Sequence, residues 1–585
     1  MFRFLIPLLS VSFLLIPSIS IADPIRRGDF VWEGTKIIDF LGVEINVVFP
    51  DGATEIPEYF FMGCKTLESV VIPEGVKVIR RGTFWGCESL KSVVIPQSVT
   101  KIEDEAFMGC KSLTSVVIPK GVTKIGRSAF KSCESLTSVE IPEGVKIIGG
   151  GAFEGCKSLT SVKIPESVTK IGGMAFAGCS SVKSFVIPKG VTVIGFGTFE
   201  DCESLTSITI PEGVTKIGEQ AFWGCKALKT ITLPKALKVI KKNAFTECDS
   251  LQSVEIPEGV TAIGESAFER CASLKSVRIS PSVKKIGVAA FSSCVALTSV
   301  EIPEGVTEIG EFAFKECGSL TEVVIPDSVK KIGGGAFAIC PALKKWDISP
   351  AHPYFKAVGP ALLTKDGKKL VAYLCSAKEY QIPEGVEVIG EMAFADCESL
   401  TSLVIPESVT EIGEMAFADC ESLTSIVIPE SVSEIGPHAF ADCHSLKSIT
   451  LPKGLTVLKS GVLQDCHSLK SLEIPESVTK LEDWVFYYCE SLTSIVIPEG
   501  VTEIGGGAFY RCHSLKSIVI PEGVTKIGNY AFFECESLTS VEIPGSVKEI
   551  ESNAFDDCPN LTICAPEGSE AERFAKRHKI PFKAK

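Results

Sequence analysis

The chain has 585 residues, of which 45% are hydrophobic and 22% are charged, and its formal net charge at pH 7 is −14. This composition is typical of a folded protein and argues against disorder. The acidic balance argues against nucleic acid or an anionic membrane surface as a partner, because both bind basic faces.

Residues 1–22 have the pattern of a secretory signal peptide. A short basic start is followed by an apolar stretch, and the small residues Ser20 and Ala22 stand at the cleavage positions. An N-terminal membrane anchor is the alternative, but two prolines and the short apolar run favour cleavage after Ala22. No later apolar run is long enough to span a bilayer. The sequence therefore predicts an exported mature protein without a membrane span.

After residue 41 the chain repeats a 23-residue unit, which residues 134–156 (ESLTSVEIPEGVKIIGGGAFEGC) show clearly. The unit recurs without a slip from Cys64 to Cys340 and again from Cys397 to Cys558. A period in the twenties with Leu, Val and Ile at fixed offsets indicates a leucine-rich-repeat solenoid. The predicted segments are an N-terminal cap at 23–41, a first array at 42–340, an irregular repeat with a hairpin at 341–396, a second array at 397–563 and a C-terminal cap at 564–585.

One unit predicts one coil of the solenoid. The spacing Leu136-x-x-Val139-x-Ile141 is that of a half-buried strand. Residues 143–148 form a turn and a second extended piece, and residues 149–155 are predicted to form one helical or 3₁₀ turn. The predicted fold is a mostly β repeat solenoid of about 21 coils with parallel strands.

The glycine-rich turns are predicted to be structural. GFG at 195–197 and IGGGAF at 332–337 resemble nucleotide-binding loops only superficially, since no Gly-Lys-Ser/Thr follows them. Gly149 is replaced by Glu103 and Lys241 in other units, so its glycine indicates a preferred turn.

The chain has 23 cysteines, of which 21 stand at the end of a unit and two, Cys375 and Cys564, do not. Neighbouring unit-end cysteines should have parallel Cβ vectors, whereas a disulfide needs converging ones. No C-x-x-C pair occurs, so no zinc site is predicted. We predict a column of buried thiols. Cys564 falls where Val541 stands one unit earlier, which predicts a core position for it too.

The interruption and the C-terminus each carry a local signal. Asp366-Gly367 lies between ALLTK and KKLVAY and predicts a hairpin turn. His352, Tyr354 and Lys365 are a candidate site in this insertion. Ser569 and Glu572 have capping-box spacing, which predicts a short helix over the last coil.

The motif S-L-x-S-V-x-I-P-E-G-V-T-x-I-G-x-x-A-F-x-x-C, repeated some twenty times, resembles the BspA-like leucine-rich-repeat proteins, the treponemal subclass of the repeat. The resemblance covers residues 42–585. It implies an exported bacterial surface protein that adheres to host matrix proteins, such as fibronectin or fibrinogen, or to other bacteria. The family offers no catalytic residues to carry over.

The outward position between the last two core residues of the strand is more varied among units than the small polar residues before it, and it is the candidate partner-binding strip. Frequent valine there is explained simply by its preference for strands. Alternatively, runs of exposed valine form apolar strips for a protein partner. The candidate residues are Val71, Val94, Val117, Glu140, Lys163, Val186, Val404, Val427, Val496 and Val519.

The leading functional prediction is a protein-binding or adhesion module, secreted or at the cell surface, with extracellular matrix or other cell-surface proteins as partners. The alternative is a structural envelope or periplasmic protein without a host ligand. An enzyme is disfavoured, because the six histidines are scattered and show no nucleophile–base pairing or metal spacing. No cofactor is predicted.

Overall fold

A computed structural model describes residues 30–33, 36–40 and 45–585 of the chain. The predicted signal peptide at residues 1–22 and much of the predicted cap at 23–41 lie outside the described residues. The chain divides into two units. Unit 1 runs to Thr192 and includes Thr198–Leu205, and unit 2 comprises Val193–Gly197 and Thr206–Lys585.

Each coil has a front strand, a return strand and a turn segment that leads to the unit-end cysteine. In the coil of residues 134–156 these are Ser138–Glu140, Ile147–Ile148 and residues 149–155. Corresponding strands of successive coils pair in parallel, so the predicted solenoid is confirmed. It has about 23 coils rather than 21, because the interruption and the C-terminal strand each add one.

In unit 1 most front strands bury their central residue and expose the third, as the period-two pattern predicts. The front strands of unit 1 are Asn46–Val48, Ser69–Val71, Ser92–Val94, Ser115–Val117, Ser138–Glu140, Ser161–Lys163 and Ser184–Val186. Its return strands are Val78–Ile79, Lys101–Ile102, Lys124–Ile125, Ile147–Ile148 and Lys170–Ile171. Two antiparallel strands, Phe30–Glu33 and Lys36–Phe40, precede the first coil.

Unit 2 repeats this arrangement on both sides of the interruption. Its front strands are Ser207–Thr209, Ser253–Ile256, Ser276–Ile279, Ser299–Glu301, Glu322–Ile325, Asp347–Ile348, Glu379–Gln381, Ser402–Val404, Ser425–Val427, Ser448–Thr450, Ser517–Val519, Ser540–Glu542 and Thr562–Ala565. Its return strands are Val193–Ile194, Lys216–Ile217, Val239–Ile240, Ala262–Ile263, Lys285–Ile286, Glu308–Ile309, Lys331–Ile332, Val388–Ile389, Glu411–Ile412, Glu434–Ile435, Val457–Leu458, Lys480–Leu481, Glu503–Ile504, Lys526–Ile527 and Glu549–Ile550.

The interruption contains the predicted hairpin. Ala361–Thr364 pairs antiparallel with both Phe355–Val358 and Lys369–Tyr373, and the last of these strands pairs in parallel with a return strand. Asp366 stabilises the turn, because its carboxylate accepts hydrogen bonds from the Thr364 hydroxyl at 2.6 Å and the Lys368 amide at 3.0 Å. The insertion therefore continues the return sheet of unit 2.

The C-terminal helix is also confirmed, at Glu570–His578. The Ser569 hydroxyl accepts a hydrogen bond from the Glu572 amide at 3.3 Å, as the capping-box spacing predicts. Ala571, Phe574 and Ala575 are buried against the last coils. A further strand, Phe582–Ala584, follows the helix and pairs in parallel with Thr562–Ala565.

The turn segments differ from the prediction, since they contain no helical or 3₁₀ turn. Two residues of nearly every segment, Gly151 and Gly155 in the coil of residues 134–156, have positive φ. Alternate amides, those of Gly151, Phe153 and Gly155, donate to carbonyls of the next coil at 2.7–2.9 Å. The intervening amides close turns within the segment. In a 3₁₀ helix all these amides would donate to carbonyls within the segment. Here alternate amides donate to the next coil and so bind each coil to its neighbour.

The core of each unit contains stacked phenylalanine rings, one from each turn segment except that of residues 459–467 in unit 2, where Leu463 takes the position. In unit 1 the rings of Phe107, Phe130 and Phe153 are fully buried and lie 5.2 and 5.4 Å apart. One coil alone leaves both faces of its ring exposed, so the stack supplies the hydrophobic burial that a single coil lacks.

The unit-end cysteines form the predicted column in both units; most are buried, Cys64, Cys340 and Cys558 are half-buried, and Cys397 is an exception described below. Most of these thiols also donate a hydrogen bond to a carbonyl of the preceding coil; Cys133, for example, donates to the Phe107 carbonyl at 3.2 Å. Burial raises the pKa of Cys156 to about 12. The thiols are therefore core groups that bridge coils, and not nucleophiles.

Cys397 is the exception, and the prediction of a free thiol there is wrong. It forms a disulfide with Cys375, with the two Cα atoms 4.8 Å apart. The argument from parallel Cβ vectors holds for two residues at the same position of successive coils. Cys375 follows the insertion hairpin and does not occupy the unit-end position of a coil. Its Cβ vector is therefore not parallel to that of Cys397 and can converge on it.

The core position predicted for Cys564 is also wrong. Ile563 takes the register position next to Val541, and Cys564 lies opposite Glu542 at the half-buried outward position. The last strand has one residue fewer after its leucine than the preceding strand. A shift of one residue moves the following side chains to the other face of a sheet.

Candidate functional site

The front sheet of unit 1 brings most of the predicted strip together. Val71, Val94 and Val117 occupy the same position of three adjacent strands, followed in register by Glu140 and Lys163. Val186 has the same position in the next front strand. Since adjacent parallel strands lie about 4.8 Å apart, the three valines form one continuous apolar strip.

The valines of this strip are exposed because the coil has no further layer above its front sheet. The exposed fraction rises along the strip, from 36% at Val71 through 46% at Val94 to 72% at Val117. The inward neighbours Val70, Val93 and Val116 are buried. The alternation that fills the core thus leaves three large apolar side chains in water.

Polar side chains beside the strip are occupied by the fold. The hydroxyls of Thr137 and Thr160 donate to backbone carbonyls of the preceding coil at 3.2 and 3.1 Å. Glu140 and Lys163 form an ion pair of 3.4 Å, and both side chains are highly exposed. An exposed pair of this kind contributes about 0–1 kcal/mol. Of the side chains on this surface, the valines are the ones that these contacts within the chain do not engage.

In unit 2 the predicted valines lie at the same outward position but in two separate groups. Val404 and Val427 belong to neighbouring front strands, and Val496 and Val519 to a later pair of coils. All four are exposed. Polar residues at the intervening outward positions, Thr450 among them, separate the groups.

Two further residues belong with these valines and were missed from the sequence. Val48 pairs with Val71 at the start of the front sheet in unit 1, and Val324 is exposed at the outward position of a front strand in unit 2. The same 23-residue offset identifies Val324. Val48 lies in the irregular first coil, where the motif is hardest to align.

The candidate site at His352, Tyr354 and Lys365 is not supported, because its side chains are used by the insertion itself. His352 is fully buried, its Nε2 lies 3.0 Å from the Pro326 carbonyl, and its Nδ1 accepts hydrogen bonds from two backbone amides. Lys365 donates to the Pro350 carbonyl at 2.9 Å. His352 and Lys365 are thus engaged with backbone groups, whereas the Tyr354 side chain is exposed.

Metal-site clusters and membrane-spanning helices are both absent from the part of the chain that the structure describes. Within residues 30–33, 36–40 and 45–585, no group of three or more His, Cys, Asp or Glu side chains has the arrangement of a metal site. Over the same residues, no helix combines the length and the apolar character that a membrane span requires.

Unit 2 has a cleft of about 430 Å³ lined by half-buried carboxylates. Asp396, Asp419 and Asp442 come from successive turn segments, with the apolar side chains of Met392 and Met415 beside them. Burial, and secondarily the charge of Asp419, raises the pKa of Asp396 to about 6. Burial and the neighbouring aspartate also raise the pKa of Asp419 and Asp442.

These raised values predict that mild acid stabilises unit 2. An unfolded aspartate has a pKa of about 3.9, so between about pH 4 and 6 the folded state binds more protons and the free energy of unfolding falls as pH rises. For Asp396 we expect a gain of about 1 kcal/mol near pH 5 relative to pH 7, after allowing for solvent screening. Calorimetric melting at both pH values measures it, and Asp396→Asn should remove that gain.

Asp366 is the matched control for this experiment. Hydrogen bonds from Thr364 and Lys368 lower its pKa, so its contribution has the opposite sign and is lost in acid. Asp366→Asn should leave the gain near pH 5 in place. Asp419 and Asp442 should leave a smaller gain in Asp396→Asn, and a gain equal to that of the parent would show that Asp396 does not contribute to it.

Sequence and structure comparisons give one consistent result. The model of the BspA type leucine rich repeat region matches residues 45–157, 123–250, 170–298, 215–344, 368–493 and 481–569. No curated protein sequence matches the chain.

Three solved structures illustrate the similar proteins. A leucine-rich repeat protein from Bacteroides ovatus ATCC 8483 is 30% identical, with 62% of this chain and 92% of that one covered and a TM-score of 0.42. A leucine rich cell surface protein from Faecalibacterium prausnitzii A2-165 is 25% identical, with 85% and 94% covered and a TM-score of 0.35. A leucine rich repeat protein from T. pallidum is 30% identical, with 35% and 91% covered and a TM-score of 0.28.

Proposed function

Because the chain belongs to the BspA type leucine-rich-repeat family, whose repeats generally serve as protein-interaction modules, we propose that it is an exported adhesion module. It binds host matrix proteins or proteins of other cells through the outward face of its front strands. The observation that carries the proposal is the exposed strip of Val71, Val94 and Val117 on three adjacent strands of unit 1.

The composition of the front face supports binding to a protein rather than to a small molecule. A strip of valines above a flat sheet provides apolar contact area but no enclosed pocket, and small-molecule sites are concave. The partner would cover the valines and leave the exposed Glu140–Lys163 pair at the rim, which resembles the anatomy of protein interfaces.

Repetition offers a second source of affinity. Val404 with Val427, and Val496 with Val519, repeat the same kind of apolar step in unit 2. Several weak, equivalent contacts on one chain can bind a repetitive or multivalent partner far more tightly than one contact does. Fibrous matrix proteins and cell surfaces are partners of that kind.

Export rests on the sequence of residues 1–22, with its basic start, apolar stretch and small residues at the cleavage positions. The mature protein is proposed to be secreted or held at the cell surface. Labelling of intact cells with a membrane-impermeant reagent tests this location. Labelling only after the envelope is opened would reject adhesion and favour a structural envelope or periplasmic role.

We expect Val94→Lys with Val117→Lys to weaken binding to the matrix protein selected in a solid-phase screen by at least about tenfold, because two buried apolar contacts become charged. The screen would use the purified mature protein, with titration of each hit to obtain its dissociation constant. Val193→Lys is the matched control, since Val193 is also exposed but lies in a return strand. Equal affinity of the double variant and the parent would reject this strip as the site.

A further inference from the structure

Unit 2 carries a cluster of aromatic side chains outside its core, on the turn segments of three adjacent coils. We call it the aromatic patch; its members are Trp484, Tyr487, Tyr488, Tyr510, Tyr530 and Phe533. Trp484 is 36% exposed and the others are half-buried. The front strips described above do not include any of these residues.

The rings support one another in a fixed arrangement. Tyr487, Tyr510 and Phe533 are stacked, with successive ring centres 4.9 and 4.8 Å apart. Trp484 meets Tyr487 edge-on at 5.2 Å and lies 6.0 Å from Tyr510. Gly507 in the next coil makes room for the indole, because a Cβ there would collide with the Trp484 ring. The patch is thus preorganised, which lowers the entropy lost on binding.

The fold does not require aromatic residues at these positions. The residues that correspond to Tyr487, Tyr510 and Phe533 in other coils of unit 2 include Glu269, Ser292 and Lys315. Those coils fold with the same core phenylalanine, such as Phe291. The aromatic patch is therefore an addition to the coil, and tyrosine and tryptophan are the residues that dominate binding hot spots.

One cation is already bound by the patch. The Arg511 guanidinium lies 4.9 Å from the centre of the Tyr488 ring and 5.6 Å from that of Tyr510. Glu534 holds it from the next coil with a hydrogen bond of 3.0 Å. Arg511 is therefore an internal example of a guanidinium held by tyrosine rings on one side and by a carboxylate on the other.

The surroundings of the patch are acidic. Nine carboxylates but only two cations belong to the five turn segments that contain and flank the patch, residues 459–467, 482–490, 505–513, 528–536 and 551–559. Both cations are already paired, Lys459 with Glu434 and Arg511 with Glu534. Aromatic faces and a local excess of negative charge together favour a cationic partner.

We propose that the aromatic patch is a second docking surface, and that its partner is an arginine- and lysine-rich segment of another protein. The guanidinium groups of that segment stack on Trp484 and the tyrosines while the flanking carboxylates neutralise their charge. Arginine fits this surface better than lysine, because its planar group stacks on aromatic rings as well as pairing with carboxylates.

Fluorescence anisotropy with a labelled nona-arginine peptide tests the proposal on the full mature chain. We expect the parent to bind the peptide and Trp484→Leu to bind it about fivefold more weakly, the effect of losing one cation–π contact. Trp484→Phe keeps an aromatic face and should retain most of the affinity. Tyr530→Leu is a second variant of the patch, expected to weaken binding in the same direction.

Leucine is smaller than tryptophan but is also apolar and uncharged, so general attraction between a basic peptide and an acidic protein is the same in parent and variant. Equal affinity of the parent, Trp484→Leu and Tyr530→Leu would overturn the proposal. Circular dichroism confirms that each variant is folded. Val94→Ser with Val117→Ser, which does not change the net charge, should leave peptide binding unchanged, so failure of the front strip and failure of the patch can be told apart.

Discussion

Replacing Phe291 with alanine should lower the free energy of unfolding of unit 2 by about 3–5 kcal/mol. Its ring is fully buried and lies 5.4 Å from both Phe268 and Phe314. Each neighbouring ring is fixed by its own coil at the spacing of the sheet, so neither can move to fill the cavity. Urea denaturation followed by circular dichroism measures the loss.

Phe196→Ala is the matched control, because Phe196 also belongs to unit 2 but its side chain is 48% exposed. We expect this variant to change the free energy of unfolding by no more than about 0.5 kcal/mol. Phe291→Leu should fall between the two. Similar losses for Phe291→Ala and Phe196→Ala would contradict the stacked column as the main source of stability.

Removing the disulfide with Cys375→Ser should destabilise unit 2 by about 3 kcal/mol, the loss expected for a closed loop of roughly twenty residues. The bond joins the end of the insertion hairpin to Cys397 at the start of the following coils. Without it, the unfolded chain gains conformational freedom in that loop while the folded coils keep their core. Thermal melting of parent and variant without reductant measures the loss.

Thiol counting provides the independent check. In guanidinium without reductant we expect 21 reactive thiols, rising to 23 after reduction. Cys564→Ser is the control, since it removes a half-buried free thiol and should leave the melting temperature nearly unchanged. A count of 23 before reduction would show that Cys397 belongs with the free thiols after all.

The two proposed surfaces occupy positions at which the coil tolerates change. The outward residue of the front strand is valine at Val117, glutamate at Glu140 and lysine at Lys163, without effect on the strand. The turn position of Tyr510 is equally variable. Evolution can therefore alter recognition in either place without altering the core that stacks the coils.

Register was the part of the site that could be predicted. Once the 23-residue period is known, Val71, Val94 and Val117 must lie side by side, because identical coils stack in parallel. The aromatic patch was missed for the opposite reason. The repeat motif is defined by the residues that the units share, so it does not include residues that depart from it. The aromatic residues of WVFYYC at 484–489 and of the following turn segments are such departures, and they are visible in the sequence.

The glycine at the position of Gly149 recurs in many coils for a reason other than the predicted turn. Gly149 indicated a preferred turn, yet its φ is not positive, and a Cβ there would lie 2.5 Å from the Gly126 carbonyl carbon of the preceding coil. Glycine is frequent because backbones approach closely between coils. That reason involves two residues 23 positions apart and cannot be read from either one.

The sequence by itself determined the repeat, the parallel strands, the buried phenylalanines and the outward valines, because each follows from the 23-residue period of the sequence. Only the tertiary structure decided that Cys397 is oxidised, that Cys564 faces outward, that the turns bond coil to coil and that Trp484 lies over Gly507. These features arise where the period is broken or where neighbouring coils touch. Their geometry is set by packing between coils, which no single unit encodes.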